Sequence, residues 1–180
     1  MPDTPSADTT QPADAGRGTG AGTSGAAGAS AAAGELVGIT DSGPAIVATV
    51  ALPGCEPVRA LAAFTDPAVL SRWWRGELTA DLVPGGRYIV SFPAIPARMA
   101  GHVVSYQPGR SLEFTWAWDG EVEPPSAVTV RVESIDEGRS TVLTVEHGPH
   151  SRDEAGQTAH ALHWEGWEHF LPRLPAAVNG

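Results

Sequence analysis

The chain has 180 residues, room for one domain with its own core but not for two ordinary ones once an unstructured end is set aside. Its one cysteine, Cys55, excludes an internal disulfide, and a net charge of -10, with all 11 basic residues arginine, argues against a surface that tracks phosphates. No apolar run approaches the roughly 18 residues of a membrane-spanning helix, so neither nucleic acid nor membrane is an expected partner.

From Met1 to about Gly34 the residues are mainly Ala, Gly, Ser, Thr, Pro and Asp, without an aromatic side chain. Such a segment cannot bury enough surface to offset the entropy of ordering, so residues 1–38 are expected to be a disordered tail and residues 39–180 the domain. The start, Met1-Pro2-Asp3, lacks the basic and apolar stretches of a secretory signal, and the cytoplasm is the expected location.

Ala45 to Leu52 is a β-branched apolar run ended by Pro53-Gly54 and predicts a strand. Two short helices follow. Pro57 suits a first helical position, with Val58, Leu61 and Ala62 on one face; Asp66 then caps a second helix that opens at Pro67, carries Val69, Leu70, Trp73 and Trp74, and ends at Gly76. Strands are predicted at Arg87–Phe92, His102–Tyr106, Leu112–Trp118, Val128–Ile135 and Ser140–His147, joined as antiparallel meanders. The turns carry the residues their geometry needs: a type II turn at Gln107-Pro108-Gly109-Arg110 and a tight hairpin at Asp136-Glu137-Gly138. Alternation assigns Tyr88, Val90, Phe92, Leu112, Phe114, Trp116, Trp118, Val128, Val130, Val132, Leu143 and Val145 to the buried face. Ser151-Arg152-Asp153-Glu154 has the form of a capping box, opening a helix to about Leu171, roughly 30 Å long, that Pro172 should kink or end.

This order gives an α+β arrangement whose sheet needs its apolar face covered, with the long last helix as the expected cover. Phe64-Thr65-Asp66-Pro67, Trp73-Trp74, Leu82 to Tyr88, Leu112 to Trp116 and Gly166-Trp167 together resemble the SRPBCC (START/Bet v 1-like) superfamily. Within it they are most similar to the AHSA1-like branch, the activator of Hsp90 ATPase homologues. The resemblance covers roughly Ala45 to Leu174 and implies a helix-grip fold, a curved antiparallel sheet wrapped around the C-terminal helix, often with an elongated apolar cavity between them. It also implies a small hydrophobic molecule as partner and, through the activator branch, an Hsp90-type chaperone. Two departures are visible: Pro172 and Pro175 stand where members continue the last helix, and a tail takes the place of the activators' separate N-terminal domain.

The candidate ligand-binding set is Trp73, Trp74, Tyr88, Phe92, Phe114, Trp116, His163 and Trp167, with Trp164 beside it. Apolar pockets are lined this way, yet the same residues would also make a closed core, and both readings stand at this point. Gly166, costly inside a helix by about 1 kcal/mol, fits either a close backbone approach or open volume. No cofactor is expected, and no metal: His160 and His163 share a helix face near Glu165, Glu168 and His169, but neither a His-Glu-x-x-His string nor a cysteine pair completes a zinc set. The rival reading is a polyketide cyclase-like enzyme drawing on His102, Arg98, Glu113 or His163 for proton transfer, although alternation puts Glu113 on the outer face. A third is an adaptor that docks a larger protein. Cys55, with no partner base in view, reads as an incidental thiol.

Overall fold

A computed structural model describes residues 35–120 and 124–180. The expected tail lies outside the described residues as far as position 34, and residues 35–38 open the first strand. The elements are β1 (Glu35–Asp41), β2 (Ile46–Leu52), α1 (Pro57–Thr65), α2 (Pro67–Trp74), β3 (Glu77–Ala80), β4 (Arg87–Phe92), β5 (Ala97–Gln107), β6 (Ser111–Trp118), β7 (Ser126–Ile135), β8 (Ser140–Gly148), α3 (Glu154–Phe170), a 3-10 turn (Leu171–Arg173) and α4 (Leu174–Asn179). The strands form one open antiparallel sheet in the order β1-β2-β8-β7-β6-β5-β4-β3. With the long helix near the C-terminus and two short helices after the early strands, this is the α+β, helix-grip type of arrangement that the sequence implies.

Chemistry at the joints decides the boundaries. Asp66 ends α1 and caps α2, its carboxylate accepting from the amides of Ala68 and Val69 at 2.7 and 3.3 Å. Gly76 is required by space: a Cβ there would run into Val90, while the left-handed residue at the end of α2 is Arg75 (φ 57°). Gly109 takes φ +67° at the third position of its turn, as a type II turn demands, and Arg110 closes the turn on the Gln107 carbonyl at 3.0 Å. The start of α3 differs from the expected capping box. Asp153 is the N-cap, accepting from Gly156 N at 2.8 Å, and the Ser151 hydroxyl donates to the Asp153 carboxylate at 2.6 Å. An ionised carboxylate outcompetes a hydroxyl as acceptor for helix N–H groups, and it sits better against the positive end of the helix.

The inward faces follow the alternation: Ile46, Ala48, Val50, Leu52, Tyr88, Val90, Leu112, Phe114, Val128, Val130, Leu143 and Val145 are all essentially inaccessible. Their cover differs from the expected one. α1 packs on β6, β7 and β8, α4 packs on β2 and on both short helices, and α3 buries only Gly156, His163 and Trp167 of its 17 residues. Pro172 ends the regular turns of α3, and a 3-10 turn carries the chain on into α4, whose Leu174, Pro175, Ala177 and Val178 are buried. The segment after Pro172 therefore supplies cover that most of α3 does not.

The buried end of α1 would leave carbonyls without intrahelical partners. Two side chains supply them: Trp73 Nε1 donates to Ala63 O at 2.9 Å, and the Tyr88 hydroxyl donates to Phe64 O at 2.7 Å. Tyr88 also stacks on Phe114 with ring centroids 4.0 Å apart. Tyr88→Phe keeps the ring and strands the carbonyl, so it should lower unfolding free energy by about 1–3 kcal/mol in urea titrations. An unchanged midpoint would deny Tyr88 this role.

Candidate functional site

Two regions of different character lie beneath the helices. One is the closed core, where Trp73, Tyr88 and Phe114 are fully buried. The other is a cavity of about 350 Å³ between α3 and the sheet, lined by Trp74, Phe92, Ile95, Ala97, Trp116, Trp118, Leu162, His163, Gly166, Trp167 and Phe170. Of the eight candidate ligand-binding residues, Trp74, Phe92, Trp116, His163 and Trp167 therefore meet at the cavity. Trp73, Tyr88 and Phe114 stand in the core, the first two bonded to the end of α1 and Phe114 stacked on Tyr88. Ile95 and Leu162 are 55% and 62% exposed and form the mouth. A Cβ on Gly166 would meet nothing within 4 Å, so this glycine borders open volume and not a close backbone approach.

Behind the cavity sits a buried polar array. Trp118 Nε1 donates to His163 Nε2 at 3.2 Å, His163 Nδ1 pairs with His150 Nε2 at 2.9 Å, and His150 Nδ1 pairs with Pro44 O at 3.2 Å. Beside this, Trp167 Nε1 donates to His147 Nδ1 at 3.1 Å while His147 Nε2 lies 2.7 Å from Ser126 Oγ. An indole N–H can only donate, so proton positions follow along the chain. His163 accepts at Nε2 and carries its proton on Nδ1; His150 then accepts at Nε2 and donates from Nδ1 to the carbonyl. His147 accepts at Nδ1 and donates from Nε2 to Ser126. All three rings are neutral in this pattern, and a proton added to His163 or His147 would set N–H against an indole N–H.

The same pattern limits the chemistry. Ser126 receives a proton from His147 instead of giving one up, so the pair has the wrong tautomer for a nucleophilic serine. His147, His150 and His163 each present a ring nitrogen within 4.8 Å of the others, the spacing of a possible metal set. A metal-bound neutral imidazole carries N–H on its far nitrogen, where it is normally held by an acceptor. On His163 and His147 the far nitrogens face the donors Trp118 and Trp167, and the two ring centroids lie 4.3 Å apart with their planes tilted by 32°. The donor set does not fit a cation. The other candidate acid–base residues point away: His102 is exposed on β5, Arg98 pairs with Asp119 at the surface at 2.9 Å, and Glu113 takes the Ser105 hydroxyl at 3.5 Å. Cys55 is buried, which pushes its thiol up.

His147, His150, Trp118 and Gly166 were not among the eight candidate residues. His147 had a signal, since Leu143, Val145 and His147 continue one inward period of β8. The loop residue His150 had none. Burial holds His163 down at about 4, the His150 and His160 rings adding to the effect, and burial likewise holds His147 well below its ordinary value. Both rings are neutral when folded, so the unfolded chain binds more protons below about pH 6.5, and stability falls as pH drops from there toward 4. Between pH 7 and 5, before most carboxylates titrate, His163 should account for a loss of about 2 kcal/mol. Urea unfolding at the two pH values should show that loss shrinking in His163→Gln; an equal loss in the variant would refute it.

A family model described as Activator of Hsp90 ATPase homolog 1-like protein matches residues 56–179. No curated protein matches the sequence significantly. Among solved structures, DynU16, a protein of the dynemicin biosynthetic locus, has a TM-score of 0.64 at 23% identity over 76% of this chain, which spans 48% of that protein. CalU16 from Micromonospora echinospora, in solution, has a TM-score of 0.60 at 25% identity, covering 84% of this chain and 78% of its own. A protein from Arthrobacter aurescens reaches 0.65 at 18% identity, covering 81% and 92%. These structures share the sheet-and-helix fold, and with the family match running from just before α1 to the end of α4, the chain belongs to the activator of Hsp90 ATPase homolog 1-like family.

Proposed function

We propose that the protein binds a small hydrophobic or amphipathic molecule in the cavity between α3 and the sheet. The observation that carries this reading is the apolar space itself, about 350 Å³ bordered by Gly166 at a point where a side chain would fit. Protein interiors ordinarily close such volume, because every unfilled region forfeits dispersion contacts, and small-molecule sites start at about 300 Å³. The exposed Ile95 and Leu162 at the mouth support the reading, since they offer an arriving molecule an apolar path.

Binding is a better account than catalysis. His163, the imidazole nearest the cavity, has its lone pair occupied by the Trp118 indole and its proton by His150, so it offers a ligand no base. The place of DynU16 in a biosynthetic locus agrees with a biosynthetic small molecule as cargo.

Gly166→Leu should fill the space from one wall without disturbing the opposite one. Four cavity tryptophans, Trp74, Trp116, Trp118 and Trp167, report on occupancy, so titration with flat aromatic compounds should quench intrinsic fluorescence saturably. In Gly166→Leu the affinity should fall at least tenfold while thermal stability holds or rises, because the helix loses a glycine that costs about 1 kcal/mol. Equal affinity in the variant, or quenching that never saturates, would remove the cavity as the site.

A further inference from the structure

Four imidazoles crowd against α3. The His147 and His163 ring centroids are 4.3 Å apart, His150 lies 5.0 and 5.1 Å from them, and His160 stands 5.1 Å from His150. Asp41 of β1 faces this cluster with a carboxylate oxygen 3.8 Å from His160 Nε2. From β6 and β7 the facing groups are the uncharged Trp116, Trp118 and Ser126, and β2 has no titratable side chain. α3 buries only Gly156, His163 and Trp167, and both side chains of functional size enter the cluster: His163 accepts from Trp118, and Trp167 donates to His147. The same helix is one wall of the cavity, through Leu162, His163, Gly166, Trp167 and Phe170.

We infer that acid releases α3 from the sheet while the closed core stays folded, so that the cavity gives up its contents as pH falls from 7 toward 5. The release of a ligand rests on the carrier reading; the release of the helix does not. Each bond to the sheet needs a lone pair on an imidazole, and a proton placed there turns the acceptor into a donor facing an indole N–H. The charge would also sit among rings about 5 Å away, where a second proton is repelled. Parting of the helix admits water to both rings. Burial holds His163 at about 4 in the docked helix against about 6.5 in water, so the step from pH 7 to 5 favours the parted state about twentyfold through this ring alone. His147, also held below its ordinary value by burial, adds to this. Asp41 acts the other way, by attracting a protonated His160, but its side chain is 63% exposed and such a pair is weak. In the closed core, the bonds from Trp73 and Tyr88 to the end of α1 contain no group that titrates in this range. A segment with few buried side chains opens ahead of the rest of a fold.

Indole N–H exchange in the full chain labelled with ¹⁵N-tryptophan tests the helix, each rate being corrected for its intrinsic pH dependence. Between pH 7 and 5 the protection of Trp167 should fall about twentyfold or more, leaving it at least about tenfold below Trp73 at pH 5. In His163→Gln, whose amide can accept from Trp118 at either pH, the fall at Trp167 should shrink several-fold. Should that variant fail to fold, the native comparison of Trp167 with Trp73 decides alone. Equal protection of the two indoles at pH 5, or no fall at Trp167, would overturn the inference and leave the carrier reading intact. The neutral dye N-phenyl-1-naphthylamine, bound at pH 7, should dissociate about tenfold faster at pH 5, and an unchanged rate would overturn the link from helix to ligand. A dye that never binds would overturn the carrier reading, while the exchange of Trp167 still decides the release of the helix.

Discussion

Two hydrogen bonds from indole to imidazole tie the last long helix to the sheet beside the open volume. Trp118 on β6 donates to His163 on α3, and Trp167 on α3 donates to His147 on β8. A helix seated by apolar interdigitation alone would settle until the gap closed, because dispersion attraction grows as facing side chains approach van der Waals distance. Here α3 is held at polar anchor points with fixed donor–acceptor lengths, and only three of its residues are buried. The two indole–imidazole bonds are polar contacts of fixed length among the apolar contacts of α3. They also fix the tautomers of both rings, since an indole can only donate.

The interior divides its work accordingly. Beneath α1, α2 and α4 lies a closed core in which Trp73 and Tyr88 satisfy the carbonyls at the end of α1 and Phe114 stacks on Tyr88. That core gives stability without needing α3 to be tightly packed. Pro172 marks the division: α3 ends before it, and Leu174, Ala177 and Val178 after it are buried beside α1 and α2. The aromatic set therefore serves both of the uses open to it: part of it is core, and part of it borders space.

Elements with strong local signals were legible. The inward faces of β4, β6, β7 and β8, the proline starts of α1 and α2, the Asp66 cap and the Gly109 turn follow from period and turn chemistry alone. β1 and β3 were not legible. They are the edge strands, without a long apolar alternation, and their strand form comes from pairing with β2 and β4. The start of α3 lies one cap later than the capping-box pattern implies, because Ser151 and Asp153 are both good caps and the choice between them turns on charge at a helix end.

For the site, the residue types were visible in the sequence and their allotment was not. Periodicity gave the inward direction of Trp116 and Phe114 alike, but whether an inward ring meets another ring or an empty volume depends on the distance of the facing helix. The sequence by itself determined the strand pattern, the turns, the helical segments and the family resemblance, because each rests on residues within a few positions of one another. Only the tertiary structure decided which aromatics border space, which imidazoles meet, and which indoles bond to them. Those outcomes depend on bonds between residues 20 and 45 positions apart, whose geometry no local preference encodes.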